Sequence, residues 1–207
     1  FFGELGCMSP WPRASTVRTA SDALLLEVDA EVFEEWMDAS ESFRSTMDEA
    51  YMSRGVMALL RRVPAFAELD EELLAAFRAG AELRSHPPGE VIVREGDVGD
   101  AFFLIRGGSV VVTKRVGDEE RTVSYLSSGK YFGEMALLAG TPRTATVTAV
   151  SATELVCIGR EVFTSTLARS PAASGALERA MRRRERGTEA VLASESIARA
   201  LAFVTEQ

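Results

Sequence analysis

The sequence has few of the residues that bind transition metals. Its 207 residues include two cysteines, Cys7 and Cys157, and a single histidine, His86. A zinc site usually needs about four such ligands at short, paired spacings, so these scattered residues predict neither a metal site nor a metal cofactor. Cys157 lies in the apolar run ELVCIG, where we expect a small buried side chain.

Long hydrophobic runs and an excess of positive charge are also missing. No run approaches the ~20 apolar residues of a membrane-spanning helix, so we expect no contact with a membrane. The opening FFGELG does not resemble a secretory signal, which predicts a cytoplasmic protein unless a targeting segment lies upstream. The net charge of −8 argues against nucleic-acid binding by this chain, because neutralising phosphates requires clustered lysine and arginine.

The sequence also lacks a catalytic constellation. It contains one histidine, and no nucleophile elbow, kinase catalytic loop or cluster of metal ligands is present. We therefore expect a protein that is not an enzyme.

What the sequence does contain is an internal repeat with a period of 130 residues. Phe-Gly-Glu occurs at 2–4 and 132–134, Pro-Arg at 12–13 and 142–143, and Glu-Val-Phe at 31–33 and 161–163, with no gap needed. A register kept over this length indicates two copies of one unit.

Only the second copy is preceded by a full set of further elements. LLRRVPAFAELDEELLAAFRAGA predicts two helices around a proline-containing turn, with Asp70 as an N-cap and Gly80 as a stop. GEVIVREGD, AFFLIRGGSVVVTKR and RTVSYLSSGKY predict short strands, and TATVTAV and TELVCIG predict a final pair. Helix is expected again from about Glu161 to Arg169 and from Pro171 onwards. We predict an α+β fold, an antiparallel β-roll (a jelly-roll-like barrel) flanked by N-terminal and C-terminal helices.

The same pattern divides the chain into four parts. We assign residues 1–39 to the tail of a first unit, 40–58 to a helical connector, 59–170 to a complete second unit and 171–207 to C-terminal helices that could form a lid. The final segment IARALAFVTEQ keeps a helical spacing of apolar residues, so we interpret the sequence as part of a longer protein.

The motif FGEMALLAGTPR, at 132–143, combines an acid and a base that suit one kind of ligand. Glycine followed by helix formers predicts a short helix whose first N–H groups attract an anion. Gly133 would let a phosphate approach the backbone, and Arg143 could offer its guanidinium fork to phosphate oxygens. Glu134 could accept a hydrogen bond from a ribose hydroxyl, so the pair indicates a compact ligand with both groups, such as a cyclic nucleotide. A simpler alternative is a Glu134–Arg143 salt bridge that closes a strand–helix corner without a ligand.

This motif resembles the phosphate-binding cassette of the cyclic nucleotide-binding domain family. The family includes protein kinase A regulatory subunits, cyclic GMP-dependent kinases, cyclic nucleotide-gated channels and bacterial catabolite activator proteins. The resemblance covers about residues 59–186 and the tail at 1–39. It implies cyclic AMP or cyclic GMP as the ligand, with Gly133 and Glu134 on the ribose and Arg143 on the phosphate. The ligand-binding residues that the resemblance implies are Gly133, Glu134, Met135, Ala136, Arg143, Thr144 and Ala145.

The first copy matches the family less well. Gly3, Glu4 and Arg13 could form a degenerate first site, but Gly6 and Cys7 stand where the second copy has alanine and leucine. Its roll is absent from this sequence, so we expect the tail by itself to enclose no ligand.

The resemblance implies a regulatory sensor. Ligand capture would draw the cassette inwards and let the helices from Pro171 onwards close over the base, which would control an attached or partner effector protein. It also implies that Gly89, Gly96 and Gly108 are turn glycines of the roll.

Three alternatives remain open. A transcription activator would need a helix-turn-helix that 171–207 do not show, a kinase regulatory subunit would need an inhibitor segment upstream, and a scaffold of the same fold would bind no ligand.

Two further segments have simple interpretations. RAMRRRERG, at 179–187, could be a basic patch for an effector, but a solvated charged helix face is the simpler interpretation. AYMSRGVMALL, at 50–60, is interpreted as a helix packing stripe.

Overall fold

Helices form where capping residues and apolar spacing predict them. The computed structural model describes residues 1–8, 16–67 and 69–205, with side chains described up to residue 194. The helices are α1 (Ala30–Ala39), α2 (Glu41–Ala50), α3 (Val56–Leu60), α4 (Glu71–Ala79), α5 (Glu134–Ala139), α6 (Arg160–Ala168) and α7 (Pro171–Thr205), with a 3₁₀ turn at Glu4–Gly6 and a π-helical turn at Tyr51–Gly55. Asp70 caps α4 as predicted, because its carboxylate accepts the N–H of Leu73 at 2.8 Å.

The strands form two antiparallel sheets, as expected for a β-roll. They are β1 (Ala81–His86), β2 (Val91–Val93), β3 (Ala101–Gly107), β4 (Ser109–Val116), β5 (Glu119–Ser127), β6 (Tyr131–Phe132), β7 (Thr146–Ala149) and β8 (Thr153–Gly159). One sheet has the order β1-β8-β3-β6 and the other β2-β7-β4-β5.

The strand pattern differs from the sequence prediction in three places. The run AFFLIRGGSVVVTKR is divided into β3 and β4, because Gly108 has a φ of 81° and a Cβ there would lie 2.2 Å from the carbonyl oxygen of Ala152. TATVTAV and TELVCIG both form strands, but the expectation that they pair is wrong: β7 lies between β2 and β4, and β8 between β1 and β3. The sequence pattern does not predict β1, which forms by pairing with β8 along its whole length.

The core has two parts that meet at β3. Alternate side chains of a strand face opposite sides, and β3 is buried on both. Phe102 and Leu104 pack among the helices, where the rings of Phe102 and Phe163 stack at 4.9 Å. Phe103 and Ile105 pack between the two sheets. The strand that carries these residues is therefore fixed from both sides.

Two sequence predictions about buried residues are confirmed. Cys157 is buried between the sheets, and burial raises the pKa of its thiol to about 12. Within AYMSRGVMALL, the main core includes Tyr51, Val56, Leu59 and Leu60.

The 130-residue repeat is visible in the described elements of the first copy. Gly3 has a φ of 94° before the 3₁₀ turn, as Gly133 has a φ of 87° before α5. The helices α1 and α6 begin 130 residues apart, and so do α2 and α7. Ser40 and Ser170 cap the second helix of each pair by accepting a backbone N–H. The segment 40–58 therefore corresponds to the first part of α7.

In the described part of the chain, no helix combines the length and the apolar character needed to cross a bilayer.

Candidate functional site

The short helix α5 follows directly from β6 through a glycine in the left-handed region. Gly133 has a φ of 87° and a ψ of −7°. A Cβ at this position would lie 2.7 Å from Nη1 of Arg143 and 2.8 Å from the carbonyl oxygen of Ala101. Glycine is therefore required for both its conformation and its space. It brings the start of α5 against Arg143.

Arg143 is only 4% exposed and is held by three acceptors. Its Nη1 donates to the carbonyl of Gly133 at 3.1 Å, and its Nη2 donates to the carbonyl of Ala101 at 2.9 Å and to Asp100 Oδ1 at 3.0 Å. Burial lowers the pKa of Arg143 from its ordinary value, and the carboxylate of Asp100 opposes this. The guanidinium is thus fixed before any ligand arrives, and no hydrogen bond from its Nε is found among the described residues.

The loop before β3 carries Asp100, one of the three acceptors for Arg143. Arg160 donates from both Nε and Nη2 to the carbonyl of Gly99, and its own N–H donates to the carbonyl of Asp100 at 2.7 Å. A Cβ at Gly99 would lie 2.6 Å from the Cβ of Ala136 on α5. The loop and α5 are therefore packed closely against each other, next to the Arg143 guanidinium.

Glu134, the first residue of α5, is 1% exposed and pairs with an arginine of the C-terminal helix. Its Oε1 accepts a hydrogen bond from Nη1 of Arg184 at 2.7 Å. The Arg184 guanidinium also lies over the ring of Tyr131, 4.2 Å from its centroid. Burial raises the pKa of Glu134 above its ordinary value, and the positive charge of Arg184 opposes this.

The two charges of the motif therefore have different partners. Glu134 pairs with Arg184, whereas Arg143 pairs with Asp100. The alternative in which Glu134 and Arg143 pair with each other does not describe this structure. Each charge is therefore held by its own partner from outside the segment 133–145.

The remaining residues of the predicted site lie on the same cassette. Ala136 is buried, and Met135, Thr144 and Ala145 are half-buried. The Thr144 hydroxyl donates to Sδ of Met135 at 3.8 Å, a weak contact that a ligand could replace. The structure thus brings all seven predicted residues into one segment around α5.

The first copy repeats the contact made by Arg184. Glu4 is 6% exposed, and its Oε1 pairs with Nη2 of Arg54 at 3.0 Å. Arg54 also lies over the ring of Phe1, 5.0 Å from its centroid. Of the residues suggested for a degenerate first site, Gly3 and Glu4 are described, and Arg13 lies outside the described residues.

Comparison with known proteins identifies a family for the segment that contains this site. Residues 83–170 match the family described as "Cyclic nucleotide-binding domain". The chain belongs to the cyclic nucleotide-binding domain family. The family resemblance and the fold class predicted from the sequence are therefore confirmed.

Members of the family with known roles are similar over most of this chain. It is 32% identical over 168 residues to the cAMP-dependent protein kinase regulatory subunit of Mucor circinelloides f. lusitanicus, covering 80% of this chain and 37% of that protein. It is 35% identical over 167 residues to the cGMP-dependent protein kinase, isozyme 1, of Drosophila melanogaster, covering 78% of this chain and 21% of that protein. The chain thus spans less than half the length of either relative.

A solved structure of the family is similar in both sequence and fold. The regulatory domain of Toxoplasma gondii PKA, co-crystallised with cAMP, is 28% identical with a TM-score of 0.57. The match covers 88% of this chain and 66% of that structure.

Sequence reasoning missed the residues that support the segment 133–145 from outside it. The interpretation of RAMRRRERG as a solvated face is wrong for Arg184, which reaches a buried carboxylate. The repeat could have found it, because Arg54 and Arg184 are 130 residues apart. No repeat or motif in the sequence pointed to Asp100 or Arg160. Their contacts depend on how the fold places β3 and the loop before it.

Proposed function

We propose that this chain is a cyclic nucleotide-sensing regulatory module that binds cyclic AMP or cyclic GMP in the cassette at 133–145. The observation that carries the proposal is a pair of buried, separately supported charges, Glu134 at the start of α5 and Arg143 beside it. Burying a charge costs free energy, so two buried charges on one short segment indicate a function. Charges of opposite sign suit a ligand with an anion and a hydroxyl group.

The ligand's phosphate would be bound by Arg143 and by backbone N–H groups at the start of α5. The guanidinium is already oriented by Gly133, Ala101 and Asp100, so little side-chain entropy is lost when the phosphate binds. The ribose 2′-hydroxyl would donate to the carboxylate of Glu134. Met135 and Ala136 would supply backbone N–H groups, and Thr144 and Ala145 would lie beside the ligand.

The regulatory output would be the position of α7. Arg184 ties this helix to Glu134, the same carboxylate that the ribose would use. A ligand that changes the Glu134–Arg184 pair therefore has a different affinity for the two positions of α7, which is what a switch requires. The effector would be another protein or another domain of a longer chain. The regulatory-subunit relatives support a protein kinase as that effector.

The proposal includes a division of the chain and a cellular location. We assign 1–39 to the tail of a preceding copy, 40–58 to a helical connector, 59–170 to the ligand-binding domain and 171–207 to its lid. The equal spacing of α1 and α6, and of α2 and α7, supports the two-copy division.

Both cysteines are free thiols, which supports a reducing compartment such as the cytoplasm. The function is binding and not catalysis.

Thermal unfolding with and without ligand tests the proposal. Cyclic AMP or cyclic GMP should raise Tm, because a ligand at about one hundred times its Kd adds about 2.7 kcal/mol to the native state. Linear AMP, which lacks the cyclic phosphodiester, is the control and should raise Tm less. Unchanged Tm with both cyclic nucleotides would favour the ligand-free scaffold instead.

A further inference from the structure

The basic segment at 179–187 divides into two groups of arginines with different surroundings. Arg184 turns towards Glu134, and Arg182 pairs with Glu178 on its own helix at 3.4 Å. Arg179 and Arg183 are exposed, and neither forms an ion pair or a hydrogen bond with any described residue. Four residues apart on a helix, they lie on one face, one turn above the other.

These two arginines border a groove. Its volume is about 430 Å³, and it lies between the first half of α7 and the turn at 64–65 that precedes α4. Small side chains line its floor, including Ala173, Ala176 and Ala180, and the ring of Tyr131 forms a wall. The groove has room for an apolar side chain, with two positive charges at its edge.

The charge of the groove is opposite to that of the whole chain. The sequence has 31 acidic and 23 basic residues, so unpartnered arginines on one face are a local exception. Nucleic acids and anionic membranes are bound through many phosphate contacts, and a single pair of arginines does not provide them. An apolar floor gives a phosphate nothing to bind, but it suits a side chain of a peptide.

We propose that the groove between α7 and the 64–65 turn is a docking site for an acidic segment of a partner protein. An apolar side chain of the segment fills the floor over Ala176 and Ala180, and its carboxylates pair with Arg179 and Arg183. The residues that carry this inference lie outside the cassette, so it can be tested without nucleotide.

The test uses the intact chain without nucleotide and a fluorescein-labelled peptide of glycine and glutamate with a central phenylalanine. Anisotropy should show saturable binding. Binding should be weaker for the peptide with alanine in place of phenylalanine and absent for the peptide with lysine in place of glutamate. The Arg179→Ala/Arg183→Ala double variant should bind the acidic peptide about five to ten times more weakly.

Neighbouring positions provide matched controls. Arg183→Ala should weaken binding, whereas Arg182→Ala, the same change one residue earlier, should change affinity less than about twofold. Ala180→Leu fills the groove without changing its charge and should also weaken binding, with circular dichroism confirming that each variant is folded.

Three results would overturn the proposal. They are the lack of saturable binding by the acidic phenylalanine peptide, equal losses for Arg182→Ala and Arg183→Ala, and stronger Arg183-dependent binding of phosphatidylserine vesicles or single-stranded DNA than of the peptide.

Discussion

Arg54 and Arg184 stand 130 residues apart and make the same two contacts. Each pairs with a buried glutamate, at 3.0 Å for Glu4 and 2.7 Å for Glu134. Each also lies over the aromatic ring three residues before that glutamate. One arginine in each copy therefore joins a helix to the start of a cassette.

The two helices differ beyond this arginine. After Arg54 the chain continues into Val56, Leu59 and Leu60, which are buried in the main core. The positions 130 residues later are polar or small and exposed, including Arg186 and Glu189. The first helix is thus fixed by core packing, whereas the corresponding positions of α7 are not buried in the core.

Replacing Arg184 should destabilise the fold through Glu134. Arg184→Met leaves a buried carboxylate unpaired, and we expect the free energy of unfolding to fall by about 1–2 kcal/mol, less than for a fully buried pair because Arg184 is partly exposed. Urea denaturation measures this, with Arg182→Met as the control on the same helix. The Glu134→Gln/Arg184→Met double variant should lose less than the sum of the single variants. Additive losses would show that the pair carries no coupling.

Glu134→Gln should weaken the binding of a cyclic ribonucleotide more than that of its 2′-deoxy analogue. A neutral amide is a poorer acceptor for the 2′-hydroxyl, and a hydrogen bond to a charged group contributes about 1.5–3 kcal/mol, or at least tenfold in affinity. The deoxy sugar has no hydroxyl to donate. Calorimetry with both ligands measures the difference, and Glu185→Gln on α7 is a control. Equal losses for both ligands would exclude the ribose role.

Arg143→Lys should lower cyclic nucleotide affinity by about one hundredfold or more. Lysine keeps the charge but loses the fork that binds phosphate while donating to Gly133 and Ala101, a change of about 3 kcal/mol. Calorimetry at a temperature well below the measured Tm of the variant separates binding from stability. Arg84→Lys, at an exposed position of β1, should leave affinity unchanged. An affinity within threefold of the parent would contradict the phosphate assignment.

Affinity should fall on mild acidification because of Glu134. Burial raises the pKa of this carboxyl, so it takes up a proton at a higher pH than an exposed glutamate and then accepts the ribose hydroxyl less well. A raised pKa in the native state means that the contribution of this group to stability is present at low pH and is lost as pH rises through that pKa. Acid should therefore weaken binding without destabilising the fold through Glu134. Binding titrations at a series of decreasing pH values should show this fall for the parent and not for Glu134→Gln.

Thr144→Ala should lower affinity for cyclic GMP selectively. The hydroxyl makes only a 3.8 Å contact with Met135, so it is available to the exocyclic amine of guanine. One neutral hydrogen bond contributes about 0.5–1.5 kcal/mol, so both nucleotides should bind, with at most about a tenfold preference from this residue. A competition titration measures it. A hundredfold preference for either base that persists in Thr144→Ala would show that selectivity comes from α7.

The sequence determined the fold class and the chemistry of the cassette. Gly133 and Gly140 both adopt the left-handed conformation that glycine favours, so the helix between them had to be short. The Asp70 cap, the buried Cys157 and the 130-residue repeat could be predicted for the same reason: each depends on residues close together in the chain or on identity at a fixed period.

Only the tertiary structure decided the partners of the two charges. Glu134 pairs 50 residues away and Arg143 pairs 43 residues away, in opposite directions along the chain. The strand β1 likewise forms because it pairs with β8. Its own polar sequence pattern does not predict a strand. Local spacing fixes helices, turns and caps because they are made within a few residues. A buried charge pairs with a group that the fold brings near it. Its partner is therefore defined only in the folded chain and cannot be found from local spacing.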